Sequence, residues 1–248
     1  MNVKLEIGEK IEPLGKQRSI IVSKEHTFGT DAVLLSYFAS PDPKDRICDM
    51  GTGCGIIPLL LSKKETGHIT AAEIQPKACG QLERTLILND LCDRIEVKQC
   101  DIRNLKGVLP MAQYDLVTMN PPYKPVGTGI ESVSESDKIA RHETMCTVDD
   151  CVKAASGLLR FSGRFCLCHR PERLCDIIVS MRENKLEAKR IRFVCQTEGR
   201  APWLVLVEGR RGGKSHVTVE KNLIMKNSDG TITDEMRDIF GDYAEGHQ

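Results

Sequence analysis

Asn120, Pro121, Pro122 and Tyr123 follow the strand-like run Tyr114–Met119 without a break. An amino group conjugated to a ring or a carbonyl is a poor nucleophile, because its lone pair is delocalised. Two acceptors aimed at its hydrogens favour the pyramidal nitrogen of a transition state and turn the lone pair toward an electrophile. The Asn120 side-chain oxygen and the Pro121 carbonyl are such acceptors. The two prolines fix φ, and Pro121 keeps Asn120 out of the helical region, so the tetrad holds one shape. Tyr123 offers a face on which a planar substrate can stack, worth about 1–3 kcal/mol for a base. No general base is needed, since the proton leaves after transfer, when the nitrogen has become acidic. The plain alternative is a rigid turn after a strand.

A second group of residues speaks to the electrophile. Asp49-Met50-Gly51-Thr52-Gly53-Cys54-Gly55 ends one strand-like run and opens a helical one, the place where α/β sheets bind ligands. A dinucleotide fingerprint wants its third glycine one position later, where Ile56 stands. Glycines at 51, 53 and 55 instead suit a nucleoside bearing a compact zwitterion. Glu73, 22 residues after Gly51, is placed to accept from ribose hydroxyls. Asp101 follows the next strand and could accept from an adenine amino group, with Ile74 and Ile102 on either side of the ring. Each acid alone reads equally well as a helix cap or turn former. Three in order at successive strand ends point to a nucleoside cofactor. Joined to the tetrad, such a cofactor is expected to be S-adenosylmethionine, with its sulfonium methyl as the group delivered.

The elements that must position these residues alternate regularly. Strands are expected at Arg46–Met50, His68–Glu73, Arg94–Lys98, Tyr114–Met119 and Gly163–His169. Helices are expected at Ile56–Lys64, Pro76–Asn89, Val148–Phe161 and Pro171–Asn184. Such alternation predicts an α/β fold whose seven-stranded sheet is mostly parallel and covered by helices on both faces. Leu186–Gln196 and Pro202–Glu208 read as an antiparallel pair closing it. Val3–Val22 reads as a hairpin, Thr30–Ala39 as a helix with Thr30 as its N-cap, and Asp234–Phe240 as a last short helix. The whole chain is expected to form one domain, with residues 1–40 an extension and 215–248 an appendage. The polar stretch Lys124–His142 is expected to fold over substrate, a disordered insertion being the alternative, and Arg141 to meet a phosphate or Glu143.

Lys and Arg number 35, as do Asp and Glu, so the chain carries no overall field for nucleic acid. From Arg160 to Lys221, however, 14 basic residues face 7 acidic ones. That asymmetry fits an anionic partner on one side as well as it fits a solvated face. The eleven cysteines contain no Cys-x-x-Cys pair. Cys166, Cys168 and His169 are the nearest approach to a ligand cluster, and alternate strand residues face opposite ways. No metal is expected, and the cysteines read as small buried hydrophobes in a reduced compartment. With no long apolar run and no apolar leader, a cytoplasmic chain away from membranes is expected.

The tetrad and the glycine loop resemble those of the class I Asn-Pro-Pro-Tyr amino-methyltransferases. Phe28-Gly29-Thr30-Asp31-Ala32-Val33-Leu34-Leu35, Ala140-Arg141-His142-Glu143 and Arg164–Leu174 resemble the bacterial tRNA(Val) adenine-N6 methyltransferases, over a span of about Gly15 to Phe240. The resemblance implies a Rossmann-like fold, catalysis by Asn120 to Tyr123, and Thr30 and Asp31 near the cofactor's methionine end. Its substrate would be tRNA, methylated on N6 of the adenine at position 37, by a protein expected to be a monomer. Arg200, Arg210, Arg211 and Lys214 could then meet phosphates. A glutamine side chain of a release factor poses the same chemical problem and is the competing substrate. Enzymes acting there carry a helical domain ahead of the catalytic one, whereas about 45 residues precede the first strand here. A non-catalytic RNA-binding protein is disfavoured by the intact tetrad. A nicotinamide dehydrogenase is disfavoured by Ile56 and by the lack of a placed histidine for hydride transfer.

Overall fold

The short apolar runs of the sequence form strands buried on both sides, as parallel sheets require. The computed structural model describes residues 3–15, 18–121 and 146–241. The first strands, β1 (Lys10–Pro13) and β2 (Ser19–Val22), make a small antiparallel hairpin. Helix α1 (Thr30–Ala39) leads into β3 (Ile47–Met50), α2 (Ile56–Leu61), β4 (Ile69–Glu73), α3 (Pro76–Leu88) and β5 (Ile95–Gln99). Then come β6 (Tyr114–Met119), α4 (Val148–Leu158), β7 (Leu159–His169), α5 (Leu174–Glu183), β8 (Leu186–Cys195) and β9 (Leu204–Arg211). The two-residue strands β10 (Thr218–Val219) and β11 (Leu223–Ile224) and the helix α6 (Asp234–Phe240) complete the described chain.

The large sheet runs β10-β8-β9-β7-β6-β3-β4-β5, with β11 also on β8. β3 to β7 are parallel, β9 runs antiparallel between β7 and β8, and the seven long strands are those expected. The chain leaves β3 toward β4 and β5, then returns to β3's other side with β6. That reversal opens a crevice beyond the carboxyl ends of β3 and β6, where open α/β sheets take their ligands.

Strand alternation sorts the core into two layers. Ile47, Ile69, Leu116, Cys166, Cys168 and Leu206 face the side of α1, α2, α3 and α6. Cys48, Met50, Ala72, Val117, Met119, Phe165 and Leu167 face the side of α4 and α5. Helix α3 starts with Pro76 in its first turn and buries Ala78, Cys79, Leu82 and Leu86 at helical spacing. Helix α4 begins with a complete capping box, Asp150 N–H donating to Thr147 Oγ1 at 3.1 Å and Thr147 N–H to Asp150 Oδ2 at 2.9 Å.

Three local expectations are corrected. Thr30 is not the N-cap of α1: Gly29 holds that position in an extended conformation, and no side chain caps the helix. Helix α4 ends at Leu158, and Phe161 belongs to β7, because the chain passes straight from the helix into a strand paired with β6 and β9. Pro171–Arg173 forms a separate 3-10 turn before α5, which begins at Leu174.

Candidate active site

At the carboxyl end of β3 the glycine loop bends through three positive-φ residues, Gly51, Gly53 and Gly55, at 64°, 56° and 84°. At Gly55 the requirement is double, since any Cβ would also run into the Leu82 side chain of α3. Glu73, at the end of β4, closes the loop. Its Oε2 accepts from Gly53 N–H, and its Oε1 accepts from Ile74 N–H and Gln75 N–H, each at 2.9 Å. Only 4% of Glu73 is exposed. Three backbone donors fix this carboxylate and leave one lone-pair direction on Oε2 for a ligand hydroxyl.

Asp49 is fully buried. Its Oδ1 accepts from Thr118 Oγ1 of the adjacent strand at 2.6 Å, while Oδ2 has no hydrogen-bond partner among the described residues. Burial pushes the Asp49 carboxyl up to about 7, against the downward pull of the Thr118 hydroxyl. An unmatched buried acceptor beside a glycine loop suits a ligand ammonium, such as that of S-adenosylmethionine. On this test the residues fit the cofactor.

Asp101 departs from its simplest expectation. It caps the turn Ile102–Asn104 and accepts from Arg103 through the backbone N–H at 2.9 Å and through the guanidinium on both oxygens. Those Arg103 hydrogen bonds hold its carboxyl below the usual range. An adenine amino group would share Asp101 with Arg103. Ile102 is buried and Ile74 half-buried at the same edge.

The acceptor side is built from β6 and β7. Asn120 stands half-buried just past β6, and Pro121 behind it is buried. Asp49, Thr118 and Asn120 share one sheet face by strand alternation. On the next strand Cys168, fully buried, donates from its thiol to Asn120 Oδ1 at 3.2 Å. Carbonyls at the carboxyl end of α1 accept from the strands, Phe38 O from Arg190 and Ala39 O from Arg164. The helix's amino end, with Thr30 and Asp31, is therefore turned toward the edge that carries Asn120. Pro122 and Tyr123, the stretch Lys124–His142 and the segment Ala140–Glu143 lie outside the described residues.

Sequence reasoning missed Thr118 and Cys168 as site residues. The available signal was a polar residue two positions before Asn120 in an otherwise apolar buried strand. Nothing in the sequence marks Cys168 as a partner of Asn120, a relation that exists only through strand pairing.

The basic region divides. Arg164 pairs with Asp45 and Glu208, Arg190 with Glu208 and Glu220, and Arg192 with Glu235. These three arginines are thus engaged in ion pairs within the fold. Because β9 runs antiparallel, Arg210 and Arg211 end about 24 Å along the strand from its Leu204 end. They lie at the opposite edge from Asn120. Arg200, in the turn between β8 and β9, lies at the same edge as Asn120 and lines an open groove of about 630 Å³ with Lys221, Asn222 and the two carboxylates Glu198 and Glu220. Among the described residues no three His, Cys, Asp or Glu side chains are grouped to hold a metal, and no helix is long and apolar enough to cross a membrane.

Residues 18–136 match the family model of the methyltransferase small domain. A tRNA1(Val) (adenine(37)-N6)-methyltransferase of Parabacteroides distasonis is 31% identical over 202 residues, covering 77% of this chain and 82% of the relative. One of that name from Porphyromonas gingivalis is 29% identical over 189 residues, 73% of each chain. Among solved structures, a predicted O-methyltransferase of Agrobacterium tumefaciens superposes with a TM-score of 0.70 at 23% identity, over 86% of this chain and 96% of that one. That likeness establishes the fold.

Proposed function

The chain belongs to the tRNA1(Val) (adenine(37)-N6)-methyltransferase family, and we propose that it transfers a methyl group from S-adenosylmethionine to N6 of the adenine at position 37 of a tRNA. The observation that carries this reading is the placement of Asn120 and Asp49 on one face of neighbouring strands at the switch point, with Thr118 of the Asn120 strand bonded to Asp49. Asp49 and Glu73 hold the cofactor's ammonium and ribose, with Gly51, Gly53 and Gly55 giving it room. Thr30 at the amino end of α1, Ile74, Ile102 and Asp101 complete that half. When bound, the cofactor supplies an electrophilic methyl carbon. Asn120 Oδ1 and the Pro121 carbonyl accept from the adenine amino group, localise its lone pair and stabilise the pyramidal nitrogen. Pro122 stiffens the turn and Tyr123 stacks on the base, which has left its own stack to enter the site. The proton is released to solvent after transfer. We read the described elements as one methyltransferase domain with an N-terminal and a C-terminal accessory, acting as a cytoplasmic monomer without a metal.

The test is a methyl-transfer reaction on unmodified tRNA(Val), with a release factor as the competing substrate. N6-methyladenosine at position 37, formed far more slowly with Asn120→Ala, is the expected product. A methylated release-factor glutamine with unmodified tRNA would overturn the assignment.

A further inference from the structure

Asn120 can do its proposed work only if its oxygen, and not its NH2 group, meets the reacting amino nitrogen. The two ends of an asparagine amide are nearly the same size, and rotation by half a turn exchanges them. In the wrong orientation a donor faces a donor, and the lone pair is no longer localised. Something next to Asn120 must therefore discriminate oxygen from nitrogen.

Cys168 is in the position to do so. Met119 pairs with Leu167 in the parallel register of β6 and β7, so the next residues on each strand, Asn120 and Cys168, come together on one face. The Cys168 side chain is fully buried, and its thiol lies 3.2 Å from Asn120 Oδ1 as a donor. A carbonyl oxygen has two lone pairs. The thiol takes one of them. The parallel with the cofactor half is close: Thr118, one strand over from Asp49, donates to one oxygen of that carboxylate and leaves the other open.

We propose that Cys168 is a positioning residue, its thiol fixing which end of the Asn120 amide is the oxygen that the adenine amino group meets. This rests on the reading of Asn120 as the acceptor in methyl transfer. Cysteine suits the place because it fills an apolar layer beside Cys166, Leu204 and Leu206 as a small hydrophobe while still carrying a donor.

The proposal separates from a packing role by the order of two substitutions. If Cys168 only fills space, Cys168→Ala is mild and Cys168→Ser is worse, since it buries a hydroxyl without need. If it orients Asn120, the serine hydroxyl donates in place of the thiol and rescues function. The expected result is a fall in kcat of about five- to tenfold for Cys168→Ala, with KM for the cofactor unchanged and kcat for Cys168→Ser within about threefold of wild type. A second readout does not depend on turnover. The Asn120 side-chain amide resonances, identified by their loss in Asn120→Ala, should be sharp in wild type and Cys168→Ser and exchange-broadened in Cys168→Ala. Should the alanine variant not fold, Cys168→Thr and Cys168→Val, alike in shape and differing in the donor, pose the same question. Full kcat in Cys168→Ala, or a serine or threonine variant slower than its partner lacking the donor, overturns the proposal. A wild-type protein that places no methyl on tRNA adenine overturns the functional reading instead, and is seen before any variant is made.

Discussion

The two halves of the carboxyl edge are built by different means. On the cofactor side, the acids are held largely by their own neighbourhood. Glu73 takes the N–H groups of Ile74 and Gln75, and Asp101 takes those of Arg103. On the acceptor side, Asn120 is held by a thiol 48 residues further along the chain. Asp49 sits at the seam and is held by Thr118, 69 residues away. Short of proline, no substitution removes a backbone donor, whereas any side-chain donor can be removed. Glu73 should therefore tolerate changes in the side chains around it, and the acceptor half should be sensitive to residues that never touch substrate.

The largest expected effect tests whether the two halves separate at all. Asn120→Ala should lower kcat by about 10²–10³, the cost of losing one well-placed transition-state partner, while cofactor affinity by calorimetry stays within about twofold of wild type. Equal losses in binding and turnover would show that the halves act as one unit. Next in size is Glu73→Ala, which orphans three backbone N–H groups at once. Unfolding in urea should reveal a loss of about 3 kcal/mol, together with weaker cofactor binding. Unchanged stability would mean that water replaces the carboxylate and that the loop is not organised by Glu73.

This difference also explains what could be read from sequence. The glycine loop, Glu73 and Asp101 were legible because strand, turn and acid lie within a few residues of one another, and the turn chemistry is local. Tyr114–Met119 was legible as a strand because its apolar run ends abruptly at Asn120-Pro121. Cys168 was not, because its role arises only when β6 and β7 pair in register. Arg210, Arg211 and Lys214 read in sequence as candidate phosphate contacts; β9, antiparallel as expected, carries Arg210 and Arg211 to the edge opposite Asn120, a placement that follows only from its register against β7 and β8. Arg164 and Arg190 likewise look like surface cations in sequence, yet both converge on buried Glu208.

A smaller effect sharpens the seam. Asp49 has a folded-state pKa of about 7, raised by burial above its ordinary 3.8. Between these values the folded protein holds a proton that the unfolded chain has released. The contribution of this group to stability is thus fully present below the ordinary value and is lost as pH rises through about 7. Pairing with a ligand ammonium needs the ionised form. Cofactor affinity should accordingly rise about tenfold between pH 6 and pH 8, and Asp49→Asn should flatten the profile. An equally steep profile in Asp49→Asn would assign the titration elsewhere.

The smallest expected effect concerns the two edges of the sheet rather than the two halves of one edge. RNA phosphates that reach a base bound near Asn120 must pass the carboxyl edge. Arg200 stands there, exposed, by the groove shared with Lys221 and Asn222. Arg211 donates to the Leu159 carbonyl at the other edge, and the Lys214 carbonyl accepts from Lys189 there. A solvated arginine–phosphate contact contributes little in free energy and much of that by counterion release. Arg200→Ala should therefore weaken tRNA binding by about threefold at physiological salt and reduce the slope of log affinity against log salt by about one. Arg210→Ala should leave both unchanged. The reverse order would place the tRNA body across the amino edge, so that the basic residues of β9 would hold the substrate remote from the site where its base reacts.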